Sequence, residues 1–492
     1  MTPGSFLSPE WNHIPPAPLH IHLIAVCGAG MGALAGLLHS RGCRVTGSDA
    51  GVYPPMSEFL AERGIAVTRG FSGENLIPRP DLVIVGNAVR RDNPEALALA
   101  GARIPYCSMP QAVNHFMGDG RDICLVTGTH GKTTTSSLLS VVLDQAGRSP
   151  SFFIGGIVRD FGTNCRMGSG PELVVEGDEY DTAFFDKGPK FLHYTPRVCV
   201  ITGIEFDHGD IYRDISHIES VFARLLERIP GDSLCVIGSD TPSARRLAAA
   251  ARCRVEWFGD RPEDDWRADK ITAGNGRTRF GIWHKNDLYG RFETGLMGRH
   301  NLMNVLACAA AAHDLGASPE AVCAALSDFQ GVRRRQEIRG RENGVTVMDD
   351  FAHHPTAVRE TIRAVRPSVP DGRLLAVFEP RTNTSMRNIF QDAYAAALSE
   401  ADAVYLRVPN RIRRIPEGER FSVDRLAADL GDGGTGARCF PDTDGIVRAV
   451  TEAARPGDLV LVMSNGGFDD IHRKLLAGLR EKAGTGIRCQ TW

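Results

Sequence analysis

The stretch Val126-Thr127-Gly128-Thr129-His130-Gly131-Lys132-Thr133-Thr134-Thr135 decides how the rest of this chain is read. An apolar run, Ile123 to Val126, precedes it and a helical pattern follows from Thr133. A strand that delivers a glycine-rich turn onto a helix N-terminus cradles polyphosphate, because backbone N–H groups and the helix dipole face the anion. In such a loop the ammonium of Lys132 reaches the terminal phosphates and the Thr133 hydroxyl faces a magnesium ion. Gly128, Thr129, His130, Gly131, Lys132, Thr133 and Thr134 are the candidate nucleotide contacts. The loop departs from the common eight-residue pattern, whose first glycine would fall at Val126.

Two strand ends bring carboxylates and an imidazole towards this loop. The run Glu172-Leu173-Val174-Val175-Glu176 leads into Gly177-Asp178-Glu179-Tyr180-Asp181. Ligands of open α/β sheets bind outside the carboxyl ends of the strands. Glu176 is thus placed to hold a metal on the phosphates, while Asp178, Glu179 and Asp181 either support it or face solvent. The apolar run Val198 to Thr202 ends in Gly203-Ile204-Glu205-Phe206-Asp207-His208, where His208 is a metal ligand or a packed histidine. Thr133, Glu176 and His208 form the predicted metal set.

Further along, Gly298-Arg299-His300-Asn301-Leu302-Met303-Asn304 is a polar turn entering a helix. His300 and Asn301 suit capping of that helix, and Asn304 lies three residues on, on the same face as Asn301. Asp349-Asp350-Phe351-Ala352-His353-His354-Pro355 follows another apolar strand, and its carboxylates and imidazoles suit nucleotide or phosphate work better than packing. Arg333, Arg334 and Arg335 mark a block boundary where a cleft would lie, and Arg381 follows the strand end at Glu379-Pro380. Arg411 to Arg414 and Gly431 to Gly436 read as loops.

Upstream, the short strand His20 to Val26 runs into Cys27-Gly28-Ala29-Gly30-Met31-Gly32, a helical pattern from Ala33 to His39, and a strand ending at Ser48-Asp49. A later strand, Asp81 to Val85, ends at Gly86-Asn87-Ala88. Gly28, Gly30 and Ala33 fit G-x-G-x-x-A, which by itself suits NAD or any ligand carrying a pyrophosphate, UDP-sugars included. Met117 to Asp122 reads as a polar, glycine-rich linker. Strands and helices alternate throughout, so the predicted class is α/β with mostly parallel sheets. The blocks are 1–117, 118–337 and 338–492.

At 492 residues the chain is too long for one ordinary core. A net charge of −3 gives no electrostatic case for a nucleic-acid or membrane partner. No run approaches the ~20 apolar residues that span a bilayer, and the N-terminal stretch lacks the pattern of a secretory leader. The twelve cysteines are scattered, with no CxxC pair. Reduced thiols in a cytoplasmic protein, a monomer or weak dimer, are expected.

Taken in order, the motifs resemble those of the Mur ligases. That family shows T-G-T-x-G-K-T, here Thr127 to Thr133; H-N-x-x-N, here His300 to Asn304; and D-D-[FY]-[AG]-H-H-P, here Asp349 to Pro355. Within the family, Glu176 to Asp181, Ala183 to Lys187, Lys190 to Tyr194, Glu379 to Thr384 and Ser464 to Phe468 look like the murein peptide ligase branch. The alanine-adding branch, which typically reads E-A-D-E-S-D where this chain has Glu176 to Asp181, stands second. Gly203 replaces a usual Asn, and Asp469-Asp470 replace a usual Gly-Gly. No Lys occurs between Lys190 and Lys270, so the carbamylated lysine of several Mur ligases has no counterpart.

The resemblance implies a Rossmann-like first domain, a central P-loop ATPase-like domain and a Rossmann-like third domain that closes over the site. It implies ATP and Mg²⁺, with UDP-N-acetylmuramate near Gly28, Gly30, Gly32, Asp49 and Asn87, and L-Ala-γ-D-Glu-meso-diaminopimelate as amine donor. Lys132 and Arg335 would stabilise the transferring phosphoryl group with Glu176 and His208. His300, Asn301, Asn304 and Asp350 would contact the nucleotide, and His353 and Arg381 the substrates. A non-catalytic nucleotide or UDP-sugar sensor and an NAD-dependent dehydrogenase are the rival readings. The first leaves the intact Lys132, Thr133, Glu176 and His208 without purpose, and the second leaves the phosphate loop unexplained.

Overall fold

Short runs of Leu, Val, Ile and Cys, buried at every residue, form the middle strands of three sheets. Such runs suit parallel strands covered by helices on both faces. The computed structural model describes residues 7–53, 56–209, 211–274, 276–410 and 412–486.

The first sheet holds β1 (His20–Ile24), β2 (Arg44–Asp49), β3 (Ala66–Arg69), β4 (Leu82–Val85) and β5 (Tyr106–Ser108). Its order is β3-β2-β1-β4-β5, all parallel. The order reverses between β1 and β4, and the helix Ala29–Ser40 starts beside that crevice.

The central sheet draws on β6 (Asp122–Thr127), β7 (Ser151–Val158), β8 (Thr163–Arg166), β9 (Glu172–Glu176), β12 (Val198–Ile201), β13 (Leu234–Gly238), β14 (Arg254–Phe258), β15 (Trp266–Gly274), β16 (Arg277–His284) and β17 (Asp287–Thr294). Between them β10 (Asp181–Ala183) and β11 (Asp186–Pro189) form a separate hairpin. The order β17-β16-β15-β14-β13-β12-β6-β9-β7-β8 is parallel at its centre and antiparallel at both edges. The third sheet holds β18 (Glu337–Glu342), β19 (Val345–Asp350), β20 (Leu374–Phe378), β21 (Ala403–Arg407), β22 (Gly436–Phe440) and β23 (Leu459–Met463), in the order β18-β19-β23-β20-β21-β22. Only β18 runs antiparallel there. The expected three-domain α/β architecture is what the chain adopts.

Some local expectations fail. The stretch Met117 to Asp122 is not a free linker: Met117 is 1% exposed at the end of a turn of π-helix, Asn114–Gly118, and Asp122 already belongs to β6. One apolar cluster runs without a break from Ile21 and Leu34 through Met117 to Ile123, Leu125 and Phe153, so the first two sheets share a core. The helix expected from Ala33 begins at Ala29, which puts Gly30 and Gly32 inside it. Gly431 belongs to the helix Val423–Asp432, not to a loop. Arg411 and residues 1–6 of the N-terminal stretch lie outside the described residues, and Ile412–Arg414 form one 3₁₀ turn. Among the described residues no helix is long and apolar enough to cross a membrane, and eleven cysteines are free.

Candidate active site

The phosphate loop leaves β6 at Thr127, whose hydroxyl donates to the Gly177 carbonyl at 2.8 Å and ties the loop to the end of β9. Gly128 and Gly131 have φ of +118° and +81°. A Cβ at Gly128 would collide with the backbone of Thr202 and Gly203, and one at Gly131 with the Asn304 amide. Both positions therefore require glycine on conformation and on space. The Thr129 N–H donates to Gly203 O at 2.9 Å and the Glu205 N–H to Thr129 Oγ1 at 2.9 Å, fastening the loop to the end of β12.

Lys132 and Thr133 open the helix Lys132–Gln145 and meet the acidic turn. Lys132 Nζ donates to Gly128 O and to Glu179 Oε2, each at 2.7 Å. Thr133 Oγ1 donates to Glu176 Oε1 at 2.9 Å, and the Gly155 N–H donates to Glu176 Oε2 at 2.7 Å. Arg335 reaches in from the boundary of the second and third blocks, with Nη2 3.4 Å from Thr133 Oγ1 and its guanidinium over the Phe351 ring. Burial and the neighbouring Asp178 push the Glu176 carboxyl up. Burial works against the Asp178 charge too, but Lys190 and Lys132 outweigh it and hold that carboxyl at about 2. Lys132 is likewise opposed by burial and raised overall by Glu179 and Asp178.

The structure does not bring His208 onto Glu176. Its Nε2 lies 3.3 Å from Glu179 Oε1, and its ring packs 4.0 Å from Tyr180 at a left-handed φ of +54°. Burial opposes protonation of His208, yet the Glu179 contact raises its pKa. The metal set thus divides into an oxygen pair, Thr133 and Glu176, and an imidazole bound to the carboxylate that also holds Lys132. Hydroxyl and carboxylate oxygens are the donors that Mg²⁺ prefers, so the pair fits that ion.

Asn304 Nδ2 donates to Asn301 Oδ1 at 3.2 Å, and Asn301 Nδ2 to Met297 O at 2.8 Å. Asn304 therefore backs Gly131, while His300 lies beside Gln336 with burial holding its pKa near 4. Asp350 accepts the N–H groups of Gln336 (2.8 Å) and Ala352 (2.7 Å), so its carboxylate braces the entry to the third domain. His353 Nδ1 lies 3.0 Å from Phe351 O. Arg381 is exposed, packed on Gly466 and 3.8 Å from Glu379 Oε2.

A cavity of about 290 Å³ joins the first two domains. Gly28, Gly30, Met31 and Asn87 line one side, and Gly155, Glu176, Asp178 and Lys190 the other. Gly28 is the exposed N-cap of its helix. Gly32 lies one turn in and packs against the Met56 side chain, which would have to move to admit a Cβ there. Asp49 accepts from the N–H groups of Cys27 (2.9 Å) and Gly51 (2.8 Å), which shapes the glycine loop and spends the carboxylate on it.

Three family models match consecutive parts of the chain: the Mur ligase family catalytic domain at residues 20–121, the Mur ligase middle domain at 126–312, and the Mur ligase glutamate ligase domain at 334–466. The chain belongs to the Mur ligase family. As a Mur ligase it is an ADP-forming acid–amino-acid ligase that uses ATP. It is 40% identical over 468 residues to the Escherichia coli UDP-N-acetylmuramate–L-alanyl-γ-D-glutamyl-meso-2,6-diaminoheptandioate ligase, covering 94% of this chain and 99% of that one. Identity to the UDP-N-acetylmuramate–L-alanine ligase of Chromobacterium violaceum is 34% over 469 residues, 93% of this chain and 98% of that one. A crystal structure of a murein peptide ligase from Psychrobacter arcticus superposes with a TM-score of 0.71 at 33% identity, covering 94% and 99%.

Two features of this Mur ligase escaped the sequence reading. One is a bridge between the central and third domains. His130 Nε2 lies 3.3 Å from Glu205 Oε2, Thr356 Oγ1 donates to the same oxygen at 2.8 Å, and the His130 and His354 rings lie 4.8 Å apart. His130, Glu205 and His354 each stood in a quoted motif, but nothing in the sequence showed that they meet across the two domains. The other is the position of Lys190: the sequence offers it, with Lys187, Arg381 and Arg387, as a cation for the carboxylates of a peptide donor, and the structure puts it in the wall of the cavity shared with the first domain.

Proposed function

We propose that this Mur ligase joins the lactyl carboxylate of UDP-N-acetylmuramate to the amine of L-Ala-γ-D-Glu-meso-diaminopimelate in the cytoplasm, returning a murein peptide to the nucleotide precursor. The observation that carries this reading is the cavity between the first-domain glycine loop and Glu176. Gly28 and Gly30 of that loop line the same space as Glu176 and Asp178, which supports a pyrophosphate held at the first domain with its acid reaching the phosphate loop. The choice of amine donor rests on relatives such as the Escherichia coli enzyme, whose name specifies that tripeptide.

A free carboxylate is a poor acyl donor because oxide would have to leave. Its oxygen first attacks the γ-phosphorus of ATP, ADP departs, and the resulting acyl phosphate then loses phosphate to the attacking amine. Lys132 is one charge shift from this role, since its ammonium caps Gly128 O and Glu179 and would turn to the phosphate oxygens. Arg335 approaches the same point from the boundary of the central and third domains. We assign Thr133 and Glu176 as holders of Mg²⁺, with His208 as a further candidate ligand; a bound Mg²⁺ supplies Lewis-acid neutralisation of phosphate charge. The bridge His130–Glu205–Thr356 keeps the third domain against the loop, which excludes water from the acyl phosphate.

The test is isotopic. With the acid carboxylate labelled by ¹⁸O, one label should appear in inorganic phosphate for each amide formed. Amide formation with unlabelled phosphate would sink the acyl phosphate route.

A further inference from the structure

We infer that Lys190 is the group that receives the carboxylate of the acid substrate, an assignment that rests on the reading of the cavity as the UDP-N-acetylmuramate site. An acid entering this space brings a negative charge towards two carboxylates, Glu176 and Asp178, and towards the phosphates of ATP. Something in the wall must offset that repulsion. Among the described residues lining the cavity, Lys190 is the one cation. Lys132, the other lysine nearby, is committed to Glu179 and the loop carbonyl at Gly128.

Lys190 is 14% exposed, and its Nζ donates to Asp178 Oδ2 at 2.9 Å. A lysine ammonium carries three donors, so two remain for a ligand without breaking that bond. Its position is fixed with respect to the first domain, not only the central one. The hairpin β10–β11 immediately precedes Lys190. Phe184 and Phe185 at its turn pack against the first-domain cluster that includes Val83, Val85 and Tyr106. The Phe185 ring meets Tyr106 edge-on at 5.0 Å, and Asn87 Nδ2 lies 3.5 Å from Asp181 O. The hairpin therefore holds the ammonium at a set distance from the Gly28 loop. A ligand anchored there by its pyrophosphate presents its far end, the lactyl carboxylate, to Lys190.

The test measures binding to the full chain by calorimetry without ATP, using UDP-N-acetylmuramate and UDP-N-acetylglucosamine, which lacks the lactyl carboxylate. Lys190→Met should weaken UDP-N-acetylmuramate by about 10- to 100-fold, the range for losing a hydrogen bond to a charged group. It should change UDP-N-acetylglucosamine by less than about threefold, and Lys190→Arg, which keeps the charge, should recover most of the loss. Equal weakening of both ligands, or no weakening of either, overturns the assignment. Failure of the wild-type protein to bind UDP-N-acetylmuramate overturns the cavity reading itself and this assignment with it.

Discussion

Lys132 shows how much of one residue's role its neighbours decide. The sequence offered it as a phosphate contact; the structure adds that it is the counter-ion of a buried acidic group, 11% exposed beside Glu179 at 4%. Lys132→Ala should cut ADP formation by on the order of 10³, as for other groups that stabilise developing charge. It should also lower thermal stability, because breaking a buried pair by removing one partner costs about 3–5 kcal/mol. Calorimetric unfolding beside an ADP assay checks both, and turnover near wild type would contradict the role. The place of Glu176 beside the loop was legible too, since it ends the strand next to β6, where it accepts from Thr133 Oγ1. Asp49 was not. Sequence placed it in the right crevice, yet only coordinates show its oxygens spent on the N–H groups of Cys27 and Gly51.

Three histidines around the nucleotide loop give a pH signature. Burial, the largest cause for each, holds His300, His353 and His354 near pKa 4. The unfolded value is near 6.5. Between those limits the unfolded chain binds the extra protons, so stability should fall as pH drops from about 6.5 towards 4, by at most about 1.4 kcal/mol per unit for each histidine. Asp178 and Glu205, held at about 2, act in the same sense at lower pH: their stabilisation is complete above the ordinary carboxylate range and is lost as pH falls through it towards 2. Denaturant unfolding at pH 7.5, 6 and 5 should show a decline that His354→Gln makes shallower. A flat profile over that range would contradict burial of neutral imidazoles.

At the scale of elements, the apolar parallel strands announced themselves and the edges did not. β12, β13, β20 and β23 are uninterrupted apolar runs because helices cover both their faces. The antiparallel strands β15 to β17 mix charged residues and glycines with scattered apolar ones and bury few of their residues, so no apolar run marks them. Asp469 and Asp470, which stand where the family usually has Gly-Gly, occupy left-handed backbone at φ +48° and +58°. Their side chains compensate, since Thr443 Oγ1 donates to Asp469 Oδ2 at 2.7 Å and Asp470 pairs with Arg473. The hairpin β10–β11 was invisible as an element, although its sequence carried the family signature. Phe185→Ala should loosen its dock on Tyr106, raising the KM for UDP-N-acetylmuramate at least threefold while leaving that for ATP within twofold. Equal changes in both would mean the hairpin serves folding alone.

Across the whole molecule, three domains do not mean three independent folding units. The cluster that joins Ile21 and Leu34 to Met117, Leu125 and Phe153 crosses the first boundary. Deleting residues 1–117 strips that apolar face from the central sheet, so the fragment should aggregate or bind a hydrophobic dye strongly. A monodisperse fragment with native ATP affinity would contradict a shared core. The His130–Glu205–Thr356 bridge brings the third domain to the phosphate loop, with Arg335 at the boundary between the two domains beside Thr133.

The measurement that bears most directly on the reaction is a competition between amine donors. Purified protein is given UDP-N-acetylmuramate, ATP and Mg²⁺ with L-Ala-γ-D-Glu-meso-diaminopimelate and L-alanine together, and the products are weighed by mass spectrometry. The expected outcome is conjugation of the tripeptide, with a kcat/KM at least about tenfold above that for L-alanine, a difference of about 1.4 kcal/mol in transition-state binding. Preferential formation of the L-alanine conjugate would contradict the peptide-ligase reading and place the enzyme with the alanine-adding Mur ligases.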